Sequence, residues 1–200
     1  MARRPEQYEQ LRDATRENVQ TAAVALFARH GFAATTMRQI ATAAGISAGL
    51  IYRHYASKDA LFEELLSQAV QGLDRMAETL RDAADPAQTL RTTTEAILEG
   101  LRSEPAAEFF MVMNQGFTTD DPPGTAARLT REHIELWDAM TELIGRGQRE
   151  CGFPPGDPAE LTTCYFATFS GLVTLRAALG PGLPMPGPEV LLRPLVGEGR

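Results

Sequence analysis

TMRQIATAAGISAGLIYRHYASKDAL, residues 36–61, decides how this chain is read. Thr36 followed three residues later by Gln39 is a capping box: the hydroxyl accepts from the helix backbone while the amide side chain reaches back to the cap. A helix is therefore expected to begin at Met37. Ile40 and Ala44 form its apolar stripe and Ala41 lets another helix cross close by. Gly45 ends it, because glycine enters the left-handed region without steric cost. Ser47 can cap a second helix, whose Leu50, Ile51 and Tyr55 recur at helical spacing. Two short helices joined by so tight a turn pack at a steep angle, and that geometry presents the second helix to a DNA major groove.

If Ile51 and Tyr55 point inward, Ser47, Ala48, Tyr52, Arg53 and His54 turn outward, on the first two turns where recognition helices meet base edges. Arg38, in the first turn of the preceding helix, is placed to join them. It is the first choice for direct readout, since a guanidinium donating a bidentate pair to guanine discriminates by about 1 to 3 kcal/mol. Lys58 is the only lysine among 19 basic residues. It follows Ser57, a cap, and so stands where the helix macrodipole disfavours a cation. The expected reason is a nearby phosphate, which the backbone N–H groups of the same helix start would also bind.

These residues resemble the TetR family of bacterial transcriptional regulators. The resemblance runs from about Thr15 to Leu66, through Ala22, Ala23, Leu26 and Phe27, the helix-ending Gly31, then TTMRQIATAAGIS and LIYRHYASKDALF. It implies that Thr36, Arg38, Ser47, Tyr52, His54 and Lys58 contact phosphate or bases, and that Gly49 permits close approach. Ala48 and Leu50 depart from the commonest pattern, which is polar at both. Either fewer base edges are read there, or these side chains meet thymine methyl groups.

Charge agrees with such a division of labour once it is split by position. Overall the chain carries −7. Residues 1–58 hold eight basic and four acidic side chains, net +4, and residues 59–200 hold eleven and twenty-two, net −11. The N-terminal end is attracted to a phosphate backbone and the rest is repelled. Arg3 and Arg4 suggest a basic arm, residues 1–11, flexible without DNA and able to reach a minor groove. The expected domains are 1–58, a helix-turn-helix DNA-binding domain including that arm, and 59–200, a ligand-binding and dimerisation domain.

Other classes find little support. There is no phosphate loop, no G-x-S-x-G elbow, no spare lysine for a Schiff base and no Cys and His cluster, so neither an enzyme, a cofactor nor a metal is expected. Cys151 and Cys164 read as helix-packing residues. No segment approaches 18 consecutive apolar residues, and MARRPEQYEQLRD lacks the apolar core of a signal peptide. A cytoplasmic location with no membrane partner is expected.

Beyond Lys58 the pattern is helical throughout, giving an all-α fold: a three-helix module linked by a long helix to a C-terminal helical core. Ala60–Ala84 carries a long stripe from Leu61 to Leu80. Further helices are expected from Pro86 to about Arg102, Pro105 to about Phe117, Thr125 to Cys151 and Ala159 to Leu179, with a short candidate at Glu189–Leu192. Ala159–Leu179 is apolar on more than one face, which one small core does not cover. The resemblance implies that it pairs across a two-fold axis in a four-helix bundle, with Ala127–Gln148 an alternative partner. A two-fold homodimer also matches a palindromic operator in double-stranded DNA.

Phe109, Phe110, Met113, Phe117, Trp137 and Phe169 form a set of large apolar residues, with Asn114 and His133 the polar groups among them. Plain packing accounts for many such residues. By the resemblance they line a pocket for a small, largely apolar effector. The implied mechanism is a repressor released from its operator by ligand. Activation, or ligand-independent architectural DNA binding, are the alternatives.

Overall fold

The computed structural model describes residues 3–180 and 182–197, with side chains from residue 7 onward. Among them there are helices and no strand. The helices are α1 (Arg3–His30), α2 (Met37–Ala43), α3 (Ala48–His54), α4 (Lys58–Arg81), α5 (Pro86–Arg102), α6 (Glu104–Thr119), α7 (Thr125–Glu150), α8 (Pro158–Leu179) and α9 (Pro188–Val196). Their starts follow local chemistry. Ser47, Ser57, Asp85 and Asp157 each cap a helix through the side chain, and α5 and α8 carry proline in the first turn, where no hydrogen bond is lost.

The expected flexible arm over residues 1–11 is corrected from Arg3 onward, because α1 runs unbroken to His30. Pro5 falls in the first turn, where a helix tolerates it, and no glycine follows until Gly31. Met1, Ala2 and the side chains of Arg3 and Arg4 lie outside the described residues, and the minor-groove reading lies there with them.

Two clusters of buried side chains hold the molecule together, and α4 belongs to both. Its first half places Leu61, Phe62, Leu65 and Leu66 with Val19, Ala23 and Phe27 of α1, Ile40 of α2 and Ile51 of α3. Val112 and Met113 of α6 and Leu129 of α7 complete that cluster. The second half of α4 places Ala77 and Leu80 with α5, α7, α8 and α9. A displacement of α4 therefore reaches both ends of the chain.

Polar contacts lace α4 to α7. Arg128 pairs with Glu63 and donates to Ser67 Oγ at 3.0 Å. Arg81 pairs with Glu135 at 2.6 Å. Arg146 donates to the carbonyls of Leu80 and Ala83 at 2.7 and 2.8 Å, closing the C-terminal end of α4 where carbonyls lack helical partners.

Helix α7 is the centre of the C-terminal half, burying Leu129, Leu136, Ala139, Met140, Leu143 and Ile144. Helix α8 buries Thr162, Tyr165, Phe169 and Val173 but leaves Ala167, Gly171, Leu175 and Leu179 exposed, the two leucines at 48% and 66%. Both cysteines are exposed, which corrects the packing role expected of them. Cys151 follows the last turn of α7, and Cys164 lies on the uncovered side of α8. Helix α9 extends beyond the four residues expected: Leu192 and Leu195 are buried in the second cluster, and Pro194 sits in its last turns.

Candidate nucleic-acid interface

The capping box forms as its residues require: Thr36 Oγ1 accepts from Gln39 N at 3.3 Å, and Thr36 N donates to Gln39 Oε1 at 2.8 Å. Gly45 takes φ +69°, the left-handed turn that lets Ile46 fold back and donate to the Ala41 carbonyl at 3.0 Å. Ser47 Oγ accepts from Leu50 N at 3.2 Å and starts α3. Burial of Ile40, Ala41, Ile51 and Tyr55 then fixes which side of α2 and α3 faces outward.

On that outward side Thr36, Arg38, Ser47, Ala48, Gly49, Tyr52 and Arg53 are all exposed, Tyr52 at 56%. His54 and Leu50 are half-buried. Burial pushes the His54 imidazole below its ordinary value, and the neighbouring Arg12 and Arg16 add to this by repulsion. Its Nδ1 is buried with no hydrogen-bond partner among the described residues. No atom lies within 4 Å of where a Cβ on Gly49 would stand. Among the described residues nothing requires glycine there.

Lys58 has partners within the chain that its place in the sequence does not indicate. Its ammonium donates to the carbonyls of Phe32 at 2.6 Å, Thr35 at 2.8 Å and Ala33 at 3.4 Å, and lies 4.1 Å from the centre of the Phe32 ring. The cation is tolerated at a helix start because it binds the carbonyls of the loop after α1, so a phosphate is not needed to explain it. Lys58 thereby ties α4 to the turn from which α2 begins.

A second polar cluster, not anticipated from the sequence, holds the end of α3. Arg16 of α1 pairs with Glu64 of α4, and Gln20 donates to Glu64 Oε1 at 2.7 Å and to the Tyr55 hydroxyl at 3.0 Å. The Arg16 guanidinium also lies 5.0 Å from the Tyr55 ring centre. Tyr55 is the C-cap of α3, so α1 and α4 jointly position α3. Arg16 and Glu64 are 48 residues apart and follow no motif, so only the fold brings them together.

The eight residues expected around an effector divide differently. Phe109, Met113 and Phe117 pack with the first cluster and Phe110 and Phe169 with the second. Asn114 Oδ1 accepts from Ser170 at 3.4 Å. Phe117 meets His133 edge-on, and His133 and Trp137 both pack against Phe166, at 5.3 and 5.7 Å between ring centres. These aromatic rings pack on one another between α6, α7 and α8. Three open clefts among the described residues are lined by other side chains.

Residues 21–65 match the family model described as bacterial regulatory proteins, tetR family. The chain is 29% identical over 136 residues to the transcriptional activator FasR of Mycolicibacterium smegmatis, covering 68% of this chain and 61% of that protein. It is 30% identical over 128 residues to the transcriptional repressor KstR2 of Rhodococcus jostii, covering 60% of each. It thus spans about three fifths of the length of these curated relatives. Among solved structures, NalD, the secondary repressor of the MexAB-OprM multidrug efflux pump in Pseudomonas aeruginosa, superposes with a TM-score of 0.67 at 26% identity, over 95% of this chain and all of that one. The MbdR regulator from Azoarcus sp. CIB shares the fold, with a TM-score of 0.72 at 22% identity over 93% and 99% of the two chains. The capped helix pair thus lies inside the segment, residues 21–65, that matches the tetR family model, and the chain as a whole shares its fold with solved bacterial regulators.

Proposed function

We propose that the chain is a homodimeric repressor whose α3 reads each half of a palindromic operator, and that a small, largely apolar effector releases it. The carrying observation is the outward face of the capped helix pair. Arg38, Ser47, Ala48, Tyr52 and Arg53 converge there in solvent around Gly49. An exposed glycine inside a helix costs about 0.5–1 kcal/mol against alanine. With no internal contact to justify it, close approach of a backbone from outside is the reason.

The uncovered apolar side of α8 supports the second copy. Helix α7, the alternative partner, leaves a single large apolar side chain, Ile134, exposed, whereas α8 exposes both Leu175 and Leu179 beside Ala167 and Gly171, so α8 offers the more continuous face for a two-fold contact. Residues 1–58 serve recognition and 59–200 dimerisation and effector binding, with α4 transmitting between them. The effector displaces the half-buried rings of Phe117, His133, Trp137 and Phe166 and so disturbs the helices packed on α4. SmeT, a fold neighbour, has been solved in complex with triclosan. Coupling of about 1–3 kcal/mol between effector and operator is typical of such proteins. Activation is the second reading, favoured by the similarity to the activator FasR.

Selection of bound sequences from random duplex DNA tests this, with Arg38→Ala beside the wild type. A palindromic motif that loses definition in the variant is expected. No enrichment at salt that removes nonspecific binding would contradict it.

A further inference from the structure

A cleft of about 400 Å³ opens where the last turn of α1, the first turns of α6 and the end of α8 meet. It lies away from the aromatic cluster of the core, and its lining has different chemistry. Met111 and the buried Val173 give it an apolar floor, and Arg29, Glu104, Glu108 and Arg176 supply its charges. Arg176 is already engaged, donating to the Arg102 carbonyl at 2.9 Å. Arg29 and Glu104 stand exposed at the rim.

Glu108 stands deeper and is half-buried. Among the described residues it makes no hydrogen bond and no ion pair; Arg29 acts on it only through space. Burial holds its carboxyl above the usual carboxylate range, Glu104 adds to this by repulsion, and Arg29 opposes it. Glu104 lies one turn earlier on the same helix face. Of the two half-buried charges in the cleft, Arg176 has a partner and Glu108, beside the apolar floor, has no cation in contact among the described residues. A carboxylate so placed gains more from an arriving cation than one in free water does.

We infer that this cleft is a binding site for a small organic cation, a protonated amine with an apolar body. Its ammonium group meets Glu108 and Glu104, and its body lies on Met111 and Val173. Such an occupant touches the recognition module and the C-terminal core at once. The last turn of α1 leads into the loop whose carbonyls bind Lys58 and from which α2 begins. Any effect on operator affinity rests on the DNA-binding reading; binding of the cation does not.

The test is calorimetric titration of the full chain, without DNA, using n-octylammonium, octanoate and 1-octanol. Octylammonium is expected to bind one site per chain about tenfold or more tightly than either of the others. Glu108→Gln is expected to remove that advantage, and Glu104→Gln to weaken binding by a few fold, both with unchanged helicity by circular dichroism. Equal binding of the three probes, or full retention of octylammonium affinity in Glu108→Gln, overturns the assignment. Because no DNA is present, a failure of operator recognition leaves this result standing and is separately detected.

Discussion

Helices α3 and α8 each bury one side and leave the other to solvent, with opposite chemistry. The open side of α3 presents Ser47, Ala48, Gly49, Tyr52 and Arg53, and Arg38 joins it from α2. The open side of α8 presents Ala167, Gly171, Leu175 and Leu179. A polar, cationic face around an unneeded glycine suits a nucleic-acid backbone. An apolar face with small residues suits close packing of another helix. Neither face is covered among the described residues, and the proposed function assigns DNA to the first and a second copy of the chain to the other.

The sharpest way to break that comparison is to charge the α8 face. Leu175→Asp is expected to yield monomers by sedimentation velocity, and loss of bivalent contact should weaken operator binding by roughly 10² to 10⁴ fold. Under the proposed function Arg38→Ala should remove a base contact without affecting the oligomeric state; a loss of about 1–3 kcal/mol, or roughly ten- to hundredfold, is expected in operator titrations. Lys58→Ala should act on stability, lowering the urea midpoint by the equivalent of about 2 kcal/mol, since the ammonium bonds carbonyls of its own chain. Unchanged stability with a salt slope reduced by about one would restore the phosphate reading.

Gly49→Ala separates fold from function most cleanly: stability should rise by about 0.5–1 kcal/mol while operator affinity falls. The smallest effect concerns pH. Burial lowers the His133 imidazole below its ordinary value, so the unfolded chain binds the proton more readily. Its contribution to stability is present above the unfolded value, about 6.5, and is lost as pH falls toward the lowered folded value. His133→Phe should therefore flatten the fall in melting temperature across that acidic window.

Legibility in the sequence followed the range of the interactions. The recognition module was readable because its determinants are local: Thr36 with Gln39, Gly45 in its turn, Ser47 and Ser57 as caps, all within a few residues of what they control. The helix starts at Pro86, Thr125 and Pro158 were legible within about a residue for the same reason. Long-range chemistry was not. Lys58 binds carbonyls 23 to 26 residues away, so its cation was assigned to phosphate. The Arg16–Glu64 pair follows no spacing rule. In the C-terminal core, composition identified the aromatic residues, but their packing against one another depends on helix positions that no single segment encodes. An arm over residues 1–11 is suggested by the charges of Arg3 and Arg4, whereas helix-forming composition carries α1 back to Arg3.

The most direct measurement is the affinity of wild type and Leu175→Asp for the selected palindrome and for its isolated half-site, at one salt concentration. Wild type is expected to prefer the palindrome by about 100-fold or more, and the variant to bind both duplexes equally weakly. Wild-type binding to the half-site as tight as to the palindrome would contradict the pairing of a DNA face on α3 with a dimer face on α8.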